Sequence, residues 1–195
     1  MEKNKWSNSS KQVLFLQGGG GEEDYAADAK LVASLQNALK DNYKVHYPLL
    51  PNDSVPDLGR EKQIGKEISL IMDNTILVGH SLGASMLLKY LSENPVKIKM
   101  AGIFLIATPF WSGEEDWKKA FILNQGFADK IPNDIPIFLY HCKDDEEVSF
   151  DHLERYVQHL PQATVREIAF GGHQLNNDLS LVAKDIKSLN FANFN

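Results

Sequence analysis

The sequence predicts an α/β fold, a mostly parallel sheet of about six strands with helices on both faces. Three observations predict it. Short unbroken apolar runs such as Val13 to Leu16, Ile76 to Val78 and Met100 to Ala107 read as strands buried on both faces, as a parallel sheet requires. Longer stretches between them carry apolar residues at helical spacing. The two kinds of segment alternate along the chain, the pattern that β-α-β crossovers produce.

Taken in order, residues 1–10 are polar and read as a tail, and residues 11–195 as a single domain. The first strand, Val13 to Leu16, runs into Gln17-Gly18-Gly19-Gly20-Gly21, where glycines let the backbone turn its amides toward the strand's carboxyl end. A helix from Asp24 to Asp41 follows, with Leu31, Val32, Leu35, Ala38 and Leu39 on one face. Lys44 to Tyr47 is a short strand, and residues 48–56, with three prolines, form an irregular connection. Ile64, Ile68, Ile71 and Met72 place a second helix over residues 57–72. Strand Ile76 to Val78 and a helix over Ala84 to Leu91 come next, then strand Met100 to Ala107. The aromatic-rich segment Thr108 to Asp134 is expected to hold a helix from about Glu115 to Phe127. Strand Ile135 to His141, helix Phe150 to Leu160, strand Thr164 to Phe170 and helix Ser180 to Leu189 complete the pattern.

Composition narrows the function. With 195 residues, 43% hydrophobic, the chain can fill one core and is too short for two comfortable domains. A net charge of -6 without a clustered basic face argues against nucleic-acid partners, because displacing counterions from phosphates needs concentrated positive charge. Partners are therefore expected to be small molecules. The single cysteine, Cys142, excludes an internal disulfide, Met1 to Trp6 lacks a signal peptide's apolar stretch, and no apolar run approaches the ~20 residues that span a bilayer. A cytoplasmic, membrane-free location is expected. Nucleotide cofactors are disfavoured too: Glu23 and Asp24 stand where a dinucleotide fingerprint needs its last glycine, and Gly59 to Gly65-Lys66 lacks the Ser/Thr of a phosphate loop. No histidine or cysteine spacing supports a metal, so no cofactor is expected.

The chemistry gathers after the strands. Gly79-His80-Ser81-Leu82-Gly83 has the form G-x-S-x-G, a strand turning sharply into a helix so that the Ser81 hydroxyl is lifted into the open. Ligands of an open parallel sheet collect at the strands' carboxyl ends. There the later strands supply Asp144 and Asp145, then Gly171-Gly172-His173. Ser81 is expected as nucleophile, His173 as the base, and one of the aspartates as the group that fixes the His173 tautomer. The Leu82 amide, at a helix N-terminus, and the Gly19 amide are the expected oxyanion donors. Gly18, His80, Phe110 and Trp111 are candidate substrate contacts, with local packing the alternative for His80 and anchoring of the segment the alternative for the aromatics.

From Val13 to Leu189 these motifs make the sequence resemble the α/β-hydrolase superfamily, and within it the compact lidless serine hydrolases similar to the retinoblastoma-binding serine hydrolase. The carriers are Gly79-His80-Ser81-Leu82-Gly83, Asp145-Glu146-Glu147-Val148 against the family's D-x-x-V, and Gly171-Gly172-His173 against its G-G-H. That match selects Asp145 over Asp144. Gln17-Gly18 stands where the family has His-Gly, Cys142 where glycine is common, and Ser149 where proline follows the valine. The resemblance implies a cofactor-independent serine esterase acting on a small ester, thioester or related acyl bond. The alternatives are a lactonase, amidase or perhydrolase using the same triad, or a binding module on the same fold.

Overall fold

Each expected strand enters one sheet. The computed structural model describes residues 10–190, so the expected tail lies outside the described residues except for Ser10. In chain order the elements are β1 (Lys11–Leu16), α1 (Glu22–Leu39), β2 (Tyr43–His46), α2 (Arg60–Leu70), β3 (Thr75–His80) and α3 (Ser81–Glu93). Then come β4 (Met100–Ile106), β5 (Ile137–Cys142), α4 (Asp151–His159), β6 (Thr164–Ile168) and α5 (Ser180–Ser188). The order across the six-stranded sheet is β2-β1-β3-β4-β5-β6, and every neighbouring pair is parallel. The chain steps outward from β1 to β2, crosses back to β3, and from there always moves the other way. The loops after β1 and β3 thus diverge, opening the crevice where ligands of such sheets bind.

Alternate residues of the central strands feed two cores. Leu14, Leu16, Leu77, Ile103, Leu105 and Leu139 pack with α2, α3 and α4 on one face. Val13, Phe15, Ile76, Val78, Phe104 and Tyr140 pack with α1 and α5 on the other. Fully burying one such aliphatic side chain is worth roughly 1.5–3 kcal/mol, so the sheet is held mainly from its two faces.

The Glu115 to Phe127 helix does not form; two short 3-10 turns, Asp116–Lys118 and Phe127–Lys130, stand instead. Its aromatics are claimed by different neighbours, Trp111 packing on Trp117 and Phe121, and Phe127 on Phe110 and His159. Gly126, with φ of 74°, takes a left-handed turn that a continuous helix excludes. The last strand stops at Ile168 rather than Phe170, whose ring is 78% exposed.

The turn joining β3 to α3 depends on close backbone approach. A Cβ on Gly83 would lie 2.1 Å from the Gln17 carbonyl oxygen and 2.5 Å from that of Leu16. Neither atom is on a movable side chain, so β1 or α3 would have to shift. Gly83→Ala is expected to destabilise the protein by about 1–3 kcal/mol, lowering Tm by roughly 2–12 °C. Gly21→Ala, where the added carbon meets only an Asn52 side-chain atom at 3.9 Å, should leave Tm nearly unchanged. Equal Tm values for the two variants in a thermal melt would contradict this account of the turn.

Candidate active site

Ser81 ends β3 and begins α3 with φ of 50°, a left-handed conformation that a non-glycine residue holds only under constraint. The constraint comes from both sides. Gly79 lies against Ala84 and Gly83 against the β1 carbonyls, at distances a Cβ would violate. Gly18 faces Ser81 so closely that its own Cβ would fall 2.9 Å from that of Ser81. The Ser81 hydroxyl makes no hydrogen bond among the described residues. Nucleophile–base contacts commonly tighten only when substrate is present.

The glycine loop after β1 is tied down amide by amide. The Gly18 N–H donates to Asp28 Oδ2 at 2.7 Å, and those of Gly20 and Gly21 donate to Asp24 Oδ2 at 2.7 and 3.0 Å. Gly19, with φ of 30°, is the one residue of Gly18–Gly21 whose amide has no acceptor. Beneath the loop the buried Arg60 guanidinium donates to the carbonyls of Gln17, Gly18 and Gly19, and through Nε to that of Pro51. Burial lowers Arg60 to about 10, with Asp24 and Asp28 opposing the fall, so it stays cationic at neutral pH.

After β5 and β6 the acid and the imidazole meet. His173 Nδ1 lies 3.0 Å from both Oδ1 and Oδ2 of Asp145. Burial alone would raise the Asp145 carboxyl, but donors from His141, His173 and the amides of Val148 and Glu147 hold it well below the usual carboxylate range. For His173 burial disfavours the charged form, yet the Asp145 hydrogen bond and charge, then Glu147 and Asp28, raise it above its ordinary value. Glu147 Oε2 stands 3.6 Å from His173 Nε2. Two more carboxylates shape the loop: Asp144 Oδ1 accepts the amides of Gly171 and Gly172, each at 3.0 Å, and Glu146 Oε2 accepts that of His173 at 3.2 Å. Asp144 is therefore spent on the loop's backbone, and of the two neighbouring aspartates it is Asp145 that meets the imidazole.

Other candidates land elsewhere. His80, a candidate either for local packing or for substrate contact, is buried with Nδ1 on Asp28 and Nε2 on the His173 carbonyl, each at 3.0 Å, so neither nitrogen is free. Gly18 has its amide engaged and offers only close packing. Phe110 anchors its segment: its N–H donates to His152 Nδ1 at 2.7 Å, and its ring packs on Tyr156 and His159. Trp111 is half-buried and tethered to α3 by a 3.1 Å bond from Nε1 to Ser85 Oγ, one turn beyond Ser81. The Leu82 amide is in the first turn of α3, where N–H groups lack helical acceptors. Burial, Asp144, Asp145 and Glu146 push the Cys142 thiol up to about 11, which disfavours a reactive thiolate. Beside the loop, a groove of about 370 Å³ runs between Gly20 and Gly21 on one side and Leu49, Leu50, Pro51 and Asn52 on the other.

Asp28 and Arg60 were not among the expected site residues, though each left a trace. Asp28 shares a helix face with Leu31, Leu35 and Leu39, and Arg60 shares one with Ile64 and Ile68. A charge on an apolar stripe implies a buried partner: Arg60 meets backbone carbonyls of the glycine loop and Pro51, and Asp28 meets the Gly18 amide, His80 and Gln174. Among the described residues no group of three or more His, Cys, Asp or Glu could hold a metal ion, and no helix is long and apolar enough to cross a membrane.

A protein-family model described as Serine hydrolase matches residues 60–180. The fold recurs in the ydeN gene product from B. subtilis, at 21% identity and a TM-score of 0.71 over 92% of this chain and 98% of that one. It recurs in a thioesterase domain from the curacin biosynthetic pathway, at 18% identity and a TM-score of 0.64 over 94% and 93%. The esterase EaEST from Exiguobacterium antarcticum has 14% identity and a TM-score of 0.67 over 92% and 91%. At such identities the likeness shows the α/β-hydrolase fold. No curated protein matches the sequence.

Glu147 faces His173 Nε2 from an exposed position, so its charge bears directly on the imidazole. Followed by NMR, the His173 ring should titrate above the ordinary ~6.5. Glu147→Gln should move its midpoint back down by removing a negative neighbour. An unmoved midpoint would contradict the contact.

Proposed function

The chain belongs to the serine hydrolase family, and from that premise we propose that it cleaves a small ester, thioester or related acyl bond through an acyl-enzyme on Ser81. In this reading it is a cytoplasmic, cofactor-independent esterase. The observation that carries it is the Asp145–His173 pair, 3.0 Å apart, on a loop whose His173 carbonyl is bonded to the residue preceding Ser81.

Ser81 Oγ attacks the substrate carbonyl carbon while His173 Nε2 takes the hydroxyl proton. Asp145 holds the proton on Nδ1, which leaves Nε2 free to accept, and stabilises the imidazolium that forms. The carbonyl oxygen becomes an oxyanion. The unpartnered Gly19 amide and the Leu82 amide supply it with donors that need not reorganise, because Asp24, Asp28 and Arg60 already fix the loop. Imidazolium then returns the proton to the leaving oxygen or sulfur, and the carbonyl re-forms as that bond breaks. Water repeats the sequence: His173 deprotonates it, it attacks the acyl-enzyme, and Ser81 leaves with the proton.

Size selection follows from the 108–134 segment. It packs onto α3 and α4 through Trp111 and Phe110 and forms no separate lid, which supports an open acyl site. Each methylene that reaches apolar surface adds at most ~0.8 kcal/mol, and the gain ends where that surface ends. Short acyl esters should therefore show higher kcat/KM than long-chain ones. A steady rise to palmitoyl esters with interfacial activation would contradict an open site.

The triad is tested by substitution, with p-nitrophenyl acetate as substrate. Ser81→Ala and Asp145→Asn should each lower kcat by about 10⁴-fold or more, the latter by leaving the base in the wrong tautomer. Asp144→Asn should cost far less, because its contacts are to the Gly171 and Gly172 amides. Equal losses at the two aspartates would remove Asp145 from its role.

A further inference from the structure

Behind the Asp145–His173 pair lies a second carboxylate–imidazole pair, Asp28–His80, which the reaction above does not use. Both residues are 1% exposed. Asp28 Oδ2 accepts from the Gly18 amide at 2.7 Å and Oδ1 from Gln174 Nε2 at 3.2 Å, and His80 Nδ1 lies 2.9 Å from Oδ1 and 3.0 Å from Oδ2. Three donors meet one carboxylate. Burial opposes its charge, but the His80 hydrogen bond and charge, then Gly18 and Gln174, hold Asp28 below the usual carboxylate range. The other face of His80 meets the His173 carbonyl, with Nε2 at 3.0 Å. A carbonyl can only accept, and an ionised carboxylate can only accept. Each ring nitrogen of His80 therefore faces an acceptor, and both must donate.

We propose that His80 and Asp28 are positioning residues: a buried ion pair that holds the His173 backbone to the Ser81 turn and, through Gly18, to the loop carrying the Gly19 amide. The inference rests on the acyl-enzyme reading above. Asp28 hydrogen-bonds to all three segments that the reaction must align: the loop after β1, the end of β3 and the loop after β6. The two imidazoles pack with ring centroids 4.8 Å apart, so a change in the hold on the His173 carbonyl carries directly to its ring. The pair is electrically neutral, which lets a cation sit beside the base without adding net charge to the site. The Nδ1 and Nε2 contacts are separable, because an asparagine amide can stand near Nδ1 and a glutamine amide near Nε2.

The test uses the whole protein with p-nitrophenyl acetate and a fluorophosphonate that labels the nucleophile. His80→Asn, which keeps a donor toward Asp28 and loses the bond to the His173 carbonyl, should lower kcat roughly 10- to 100-fold with KM within about two-fold. Its labelling rate should fall in parallel. His80→Gln, which keeps the carbonyl bond, should recover roughly ten-fold of that loss. A merely structural His80 would lower Tm in both variants while leaving kcat per folded molecule the same, and that result would overturn the proposal. Ser81 labelled in wild type but at an equal rate in His80→Asn would overturn this pairing alone; no label on Ser81 in wild type would overturn the acyl-enzyme reading itself. Should His80→Asn not fold, ¹⁵N-histidine spectra of the wild type decide. Two protonated nitrogens on His80 are expected, and one would overturn the assignment.

Discussion

One buried carboxylate, Asp28, joins parts of the chain that the sheet alone leaves independent. It projects from α1, yet its hydrogen bonds go to Gly18 after β1, to His80 at the end of β3 and to Gln174 after β6. Removing such a charge from water costs several kcal/mol, and only a full set of donors offsets it. The same requirement fixes geometry. A shift of any of the three segments leaves a buried donor or the carboxylate short of a partner, a penalty of about 1–3 kcal/mol that acts as a restoring force.

Arg60 plays the opposite part on the other side of the glycine loop. Asp24 and Asp28 take the loop's amides while Arg60 takes its carbonyls, so nearly every polar group of Gly18–Gly21 has an assigned direction. The Gly19 amide is the exception, held without being used. Around His173 the charges are arranged in the reverse sense: Asp145 meets the ring, Glu146 the amide and Glu147 the outer nitrogen. These carboxylates favour the imidazolium that a base must become midway through acyl transfer. Asp28 and Asp145 both have folded values below their unfolded ones. Linkage therefore adds stability above about pH 4 and withdraws it as pH falls through those folded values.

Much of this was legible in the residues. The six strands announced themselves as apolar runs, and the glycines around Ser81 named the turn, because period and steric need are local properties. Ser81, the Asp144–Asp145 pair and His173 could be nominated because a parallel sheet sends strand ends to one edge, so position after a strand stands in for position in space; the choice of Asp145 came from the resemblance. What was hidden depended on tertiary partners. Asp28 and Arg60 sit on helix faces whose apolar neighbours conceal them, and His80 read as a residue beside the nucleophile rather than one behind it. The Glu115 to Phe127 helix failed for the same kind of reason: Trp117 and Phe121 pack on Trp111, whereas Phe127 packs on Phe110 and His159.

The account's central claim is that the Ser81 turn and the glycine loop form a preset site for a tetrahedral oxyanion. A crystal structure of the protein after reaction with a small alkyl phosphonate tests it most directly. The account predicts phosphorus bonded to Ser81 Oγ, with one phosphonyl oxygen accepting hydrogen bonds from the Gly19 and Leu82 amides and the glycine loop unmoved. A phosphonyl oxygen turned away from both amides, or an adduct on another residue, would contradict it.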